Sequence, residues 1–148
     1  MTAATNAVAQ ATQHKWSLVV HGGAGVIERK SMSPETEAAY RAAMKTAIET
    51  GAGVLAKGGN SLDAVQATIQ YLEDNPLFNA GKGAVFTSEG KNELDAAIMD
   101  GATLKAGAVA GITHTRHPID AARAVMEQSS YVMIAGHGAD DFAASKGL

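Results

Sequence analysis

Residues able to do chemistry are concentrated in one stretch. Asn75-Pro-Leu-Phe-Asn-Ala-Gly-Lys-Gly83 runs into Ala84-Val-Phe-Thr87 and then Asn92-Glu-Leu-Asp-Ala-Ala-Ile-Met-Asp-Gly101. Pro76 has no N–H and cannot continue a helix, while Gly81 and Gly83 permit backbone angles that other residues resist, so an irregular loop is expected here. A loop of such specific composition between two patterned elements is a reasonable place for a site. A tight connection needing Pro and Gly for geometry alone is the plainer reading, and spacing by itself leaves both open. The second candidate is the turn His21-Gly-Gly-Ala-Gly25, whose backbone N–H and C=O groups could face a ligand or a catalytic group because glycine allows close approach. A purely structural turn is the alternative. The pattern argues against nucleotide binding, since G-x-G-x-x-G would have to open a helix and Val26-Ile-Glu-Arg29 leads to Ser33-Pro34 instead. His21 reads as a hydrogen-bonded structural histidine rather than a base. Asp95 sits between apolar neighbours in strand material. A buried carboxylate must be bonded, so it is expected to hold a neighbouring loop, as scaffold more than as catalyst. His114 and His117 are three residues apart, but the segment Thr113 to Pro118 is no expected helix and supplies no carboxylate, which speaks against zinc.

These residues need elements to position them. Trp16-Ser-Leu-Val-Val-His21 reads as a buried strand stopped by the glycine turn. Ser33 as N-cap, Pro34 at the first position and Glu35 and Glu37 in the first turn open a helix. Its stripe is Tyr40, Met44, Ala47, Ile48, Gly51 and Leu55, and Lys57-Gly-Gly59 stops it. Asn60 or Ser61 starts a second helix with Leu62, Val65, Ile69 and Leu72 at helical spacing up to Pro76. Residues 93–100 and 103–113 read as strands joined by a tight hairpin at Asp100-Gly101. Glycines 107 and 111 weaken the second strand unless another backbone or a ligand comes close. Pro118 opens a third helix through Ile119, Ala122 and Met126, residues 131–135 form a further strand, and 139–146 a last helix ended by Gly147.

The chain of 148 residues suits one domain with a real core. Its net charge of −3 and scattered Lys and Arg exclude a nucleic-acid surface, and its apolar runs fall short of the ~20 residues that span a bilayer. No cysteine is present, so disulfides, a thiolate nucleophile and Cys-ligated zinc are excluded and the redox compartment is undetermined. Sixteen glycines exceed the usual ~7% and imply tight turns and close backbone approaches. Residues 1–15 carry no periodicity and read as a flexible tail, with 16–148 as one domain. Ala7-Val-Ala9 resembles a small-residue cleavage site, but no charged or apolar leader region precedes it.

Taken together, His21-Gly-Gly-Ala-Gly25, Asn60-Ser-Leu-Asp-Ala-Val65, Asn75 to Thr87, Glu93 to Gly101 and Lys105-Ala-Gly-Ala-Val-Ala-Gly111 resemble the α subunit of plant-type L-asparaginases, which are also isoaspartyl aminopeptidases. The similarity runs collinearly from about Trp16 to Leu148. It implies an α+β fold, a four-layer αββα sandwich of the N-terminal nucleophile hydrolase type completed by a β-subunit chain. It also implies a precursor that cuts itself, freeing a threonine at the start of β to attack the substrate amide. The linker and the Thr-Val-Gly opening of β that the family pattern includes do not occur in these 148 residues, so the nucleophile is expected on a partner chain.

The resemblance also implies a sodium ion held by the backbone carbonyls of Leu72, Glu73, Asn75, Phe78, Ala80 and Lys82, a ligand set suited to a hard cation. Asn79 would point toward the threonine as a side-chain orienter, with Gly22 and Gly23 beside it, while substrate-clamping and oxyanion groups would lie in β. No organic cofactor is expected. The implied assembly is (αβ)2, acting on L-asparagine or β-aspartyl dipeptides, with no nucleic-acid or membrane partner, in the cytoplasm or, alternatively, the periplasm. Two other readings are kept: a glycosylasparaginase α subunit, and a non-catalytic binding module or scaffold.

Overall fold

A computed structural model of the chain describes residues 15–23 and 31–148, so the expected tail up to residue 14, and Ala24, Gly25 and the residues that follow up to 30, lie outside the described residues. Helix α1, Pro34–Ala56, opens as expected: Ser33 Oγ accepts the Thr36 N–H at 3.1 Å, and proline occupies the first turn. It closes at Lys57, after which Gly58 adopts φ +85° and Gly59 N–H reaches back to the Val54 carbonyl at 3.0 Å. Helix α2, Ser61–Asp74, is capped by Asn60, whose Oδ1 accepts the Asp63 N–H at 2.8 Å.

The two helices pack through small residues. Ala43, Ala47 and Gly51 are buried on α1, and a Cβ at Gly51 would collide with Thr68 Oγ1 and come within 3.1 Å of the Ala64 carbonyl on α2. The larger stripe residues expected to be core are not buried: Tyr40 and Met44 are half-buried and Ile48 is 40% exposed. Close helix contact selects the small residues, and the bulky ones are displaced to the rim of an open groove.

Strands β1 (Leu94–Met99), β2 (Ala106–Ile112) and β3 (Met133–Ala135) form a sheet in that order, β1 antiparallel and β3 parallel to β2. Helix α3, Pro118–Gln128, makes the crossover between β2 and β3, and helix α4, His137–Ser145, follows β3. The core lies between sheet and α3: Ile98, Val109 and Ile112 meet Ile119, Ala122 and Val125, with Ala139 and Ala143 of α4 alongside and Leu62, Val65 and Ile69 of α2 at its margin. Gly107 permits this approach, since a Cβ there would strike the Ala122 carbonyl and the Met126 N–H group of α3. The backbone approach anticipated at this glycine is therefore realised.

Three expectations are corrected. Trp16 to His21 is extended and alternates half-buried with exposed residues, as a strand would, but it belongs to no strand ladder among the described residues. The connection at Asp100 is not a two-residue hairpin. Met99 pairs with Ala106, and between them Asp100 Oδ2 accepts the Thr103 hydroxyl at 2.6 Å while the Leu104 N–H donates to the Asp100 carbonyl at 2.8 Å, closing a longer turn with Leu104 at φ +60°. Asp95 is exposed, not buried. It stands at an irregularity in the β1–β2 register and accepts the Gly111 N–H at 2.9 Å, where Gly111 has φ +62°. Lesser differences are a shorter third strand and a last helix that starts two residues early.

The described residues thus form a mixed α and β arrangement with one three-stranded sheet. The sheet face turned away from α3 shows Ala97, Met99 (57% exposed), Met133 (55%) and Ala135 to the outside. No described helix is long and apolar enough to cross a membrane.

Candidate functional site

The loop after α2 is built from its own carbonyls. Asn75 ends the helix with its N–H on the Leu72 carbonyl (3.2 Å) and its Oδ1 accepting the Leu77 N–H (3.0 Å). The Phe78 N–H then donates to the Asn75 carbonyl (3.3 Å), Ala80 to Phe78 (2.8 Å) and Gly83 to Ala80 (3.0 Å), the last pair closing a single 3-10 turn over Gly81–Gly83. Gly81, at φ +46°, lies where a Cβ would press on the Glu73 carbonyl, and a Cβ on Gly83 would meet the carbonyls of Phe78 and Pro76. Both glycines are therefore required for close approach, as their positions in the sequence suggest.

This geometry tests the expected sodium ligands. Leu72, Asn75, Phe78 and Ala80 each give one carbonyl lone pair to a loop N–H, which leaves the second for a cation. The glycines hold the Glu73 and Phe78 carbonyls against the turn without side-chain obstruction. Neutral oxygens in a Pro/Gly loop fit a hard monovalent cation. Among the described residues no cluster of three His, Asp or Glu could hold a metal ion.

Asn79 is held in one orientation. Its Oδ1 accepts the Val85 N–H at 3.0 Å, and because a backbone N–H only donates, the amide nitrogen must be the end left to face outward. Asn79 borders a cleft of about 320 Å³ together with Glu73, Gly81, Glu93 and Asp95. Gly22 and Gly23 do not line this cleft. They border the groove of about 800 Å³ along α1, with Tyr40, Met44 and Phe78, and Phe78 is the chain neighbour of Asn79 at the other cleft. Gly22 is pressed on Met44, whose Sδ would lie 2.7 Å from a Cβ there. Gly23 has φ +110°, and its N–H donates to His21 Nδ1 at 3.1 Å, which supports the structural role expected of that histidine.

Several groups at the site give no signal in the sequence. The Glu73 side chain is buried (4% exposed), and Oε1 accepts the Ile119 N–H, one of the orphan donors of α3, at 3.1 Å. Oε2 is enclosed without a hydrogen-bond partner among the described residues. Burial pushes the carboxyl up to about 8 in spite of the Ile119 hydrogen bond, and the negative charges of Asp120 and Asp74 add to the rise. Asp74 next to it is held below the usual carboxylate range, first by hydrogen bonds from Arg116, which reaches Oδ1 and Oδ2 at 3.0 Å. The fold also brings carboxylates from distant chain positions to these histidines: Asp140 lies 3.3 Å from His114 and Asp74 lies 3.2 Å from His117. Asn92 is a further such group. Its Nδ2 donates to the carbonyls of Ala84 (2.9 Å) and Val85 (3.1 Å).

Comparison with known proteins agrees with the motifs. A family model described as "Asparaginase" matches residues 14–148. The chain is 52% identical over 131 residues to an isoaspartyl peptidase of Escherichia coli, covering 88% of this chain and 41% of that protein. It is 51% identical over 135 residues to an isoaspartyl peptidase of Salmonella typhimurium, covering 91% and 43%. A plant-type L-asparaginase of Pyrococcus horikoshii is 48% identical over 132 residues, covering 89% and 42%. The chain therefore spans about two fifths of the length of these relatives.

Proposed function

This chain belongs to the asparaginase family, and on that premise we propose that it is the α part of a threonine-nucleophile amidohydrolase that acts on L-asparagine and on β-aspartyl dipeptides. The observation that carries this reading is the fixed amide of Asn79. In a chain about half identical to isoaspartyl peptidases, the loop delivers one side-chain amide to a cleft with its acceptor end already occupied by Val85 and its donor end available.

The nucleophile belongs to a β chain released from the same precursor by self-cleavage. A threonine hydroxyl needs a base, and the α-amine of an N-terminal threonine, with a typical pKa of roughly 7.7–8.0, can supply one at neutral pH. Attack on the side-chain amide of asparagine expels ammonia, and water then releases aspartate; a β-aspartyl dipeptide loses its second amino acid in the same way. Within this chain the Asn79 amide would donate toward the threonine and hold its hydroxyl in line, a contribution of position and of fixed dipole. Sodium, bound by the carbonyls of Leu72, Glu73, Asn75, Phe78, Ala80 and Lys82, would brace the loop and take no part in bond making. The exposed apolar sheet face at Ala97, Met99 and Met133 suits a second sheet from β, giving four layers and then a dimer of αβ units.

The test is intact-mass analysis and turnover of the assembled protein. A second chain beginning with threonine, ammonia from L-asparagine and aspartate from a β-aspartyl dipeptide are the expected results. Full hydrolysis of asparagine by these 148 residues alone would refute the assignment of the nucleophile to a partner. Preference for a glycosylated asparagine over the dipeptide would move the enzyme to the glycosylasparaginases.

A further inference from the structure

We infer that Asn92 is a positioning residue that acts on the reaction through Asn79, an inference that rests on the enzymatic reading above. The link is a chain of three hydrogen bonds. Asn92 Nδ2 donates to the carbonyls of Ala84 and Val85 at 2.9 and 3.1 Å, and the N–H of that same Val85 donates to Asn79 Oδ1 at 3.0 Å. The residues from Thr87 to Lys91 bring Asn92 into place. Thr87 N–H donates to the Lys91 carbonyl at 2.7 Å, Lys91 N–H to Thr87 Oγ1 at 3.3 Å, and Gly90 takes the left-handed conformation, at φ +73°, that the turn requires.

The segment between these anchors has little else to hold it. Val85 and Phe86 are 67% and 72% exposed, residues 84–87 belong to no helix or strand, and apolar packing therefore contributes little order here. The bond to the Ala84 carbonyl fixes the plane of the Ala84–Val85 peptide unit, whose N–H is that of Val85 and is thereby aimed at Asn79, and the second bond, to the Val85 carbonyl, holds the unit that follows. Without the clamp the Val85 N–H turns to water, Asn79 Oδ1 loses its donor, and the Asn79 amide is free to rotate and offer oxygen where nitrogen is needed. Nothing in this arrangement brings Asn92 itself into contact with the substrate. Its effect is on the fraction of molecules whose Asn79 amide is correctly aimed.

The experiment uses the assembled α and β chains, with Asn92→Ala, Asn92→Gln and Asn79→Ala made singly and Asn92→Ala made again in the Asn79→Ala background. Asn92→Ala should lower kcat about tenfold with KM held within about twofold, because alignment and not binding is lost. Asn92→Gln, which keeps the donor, should recover most of that loss. In the Asn79→Ala background the same change should cost less than about twofold, since the group it acts through is gone. An equal fall in kcat in both backgrounds, or no fall in either, overturns the inference. Amide exchange at Val85 gives a readout that needs no turnover: Asn92→Ala should speed it about tenfold, and unchanged exchange also overturns the clamp. If the unsubstituted protein turns over neither asparagine nor a β-aspartyl dipeptide, the enzymatic reading falls and the role in turnover falls with it, while Val85 exchange still decides whether the clamp exists.

Discussion

Asp140, in the first turn of α4, accepts both the N–H and the hydroxyl of Thr113, at 3.0 and 2.8 Å, and so fastens α4 to the end of β2 across 27 residues of chain. The His114 N–H adds a third bond at 3.0 Å. A carboxylate here satisfies the N–H groups that β2 leaves behind where its ladder ends, and it also sits at the positive end of a helix dipole.

Acid should release this fastening. Burial raises the Asp140 carboxyl, but the bonds from His114 and Thr113 outweigh it and bring the group from 3.8 down to about 2. A lowered pKa in the folded state means that the stabilisation is present above the unfolded value and is lost as pH falls through the folded one. Between about pH 4 and pH 2, therefore, Tm should drop, and Asp140→Asn should lower Tm at pH 7 and flatten that part of the profile. A variant that keeps the full acid slope would show that another carboxylate carries it.

Gly107→Ala should be among the most damaging small substitutions, because the added methyl meets α3 backbone and not the end of a flexible side chain. Overpacking of this kind costs on the order of 1–3 kcal/mol, read as a lower urea midpoint with an unchanged m-value. Gly101→Ala is the control, since nothing lies within 4 Å of a Cβ there and Gly101 is not at positive φ.

The contrast between these glycines shows what the chain order reveals and what it conceals. Helices α1 and α2 are legible because their start signals are local: Ser33 and Asn60 cap their own next turn, and Pro34 sits where a missing N–H costs nothing. The loop is legible from Pro76, Gly81 and Gly83 for the same reason. Trp16 to Val20 shows that a strand pattern is only half of a strand, since the alternation is present and no described strand pairs with it. The turn at Asp100 escaped because its own side chain selects a longer turn than the Asp-Gly pair suggests. The side-chain roles of Glu73 and Asn92 leave no signal in the sequence. One is answered by a backbone N–H 46 residues away and the other by two carbonyls, and backbone groups leave no mark on composition.

The Glu73 side chain makes a separate prediction about the joint between loop and α3. Glu73→Gln keeps an oxygen for the Ile119 N–H and removes only a carboxyl that burial already drives toward the neutral form, so Tm should move by a few degrees at most. Glu73→Leu has similar bulk but leaves that buried N–H without an acceptor, a loss of about 1–3 kcal/mol. Equal effects of the two substitutions would show that the hydrogen bond to Ile119 contributes nothing.

Sodium dependence separates a carbonyl brace from a side-chain site. A cation bound only by the folded loop raises stability by RT ln(1 + [L]/Kd), so replacing sodium by tetramethylammonium at constant ionic strength should lower Tm of the assembled protein, and the fall should track sodium concentration. Lys82→Ala should keep the whole effect, because the carbonyl at that position remains and the Lys82 side chain is exposed. Gly81→Ala should abolish it: φ of +46° is strained for alanine, and its methyl would push on the Glu73 carbonyl, one of the expected ligands. If Tm ignores sodium in the unsubstituted protein, the loop holds itself by its own hydrogen bonds, those to the four engaged carbonyls among them.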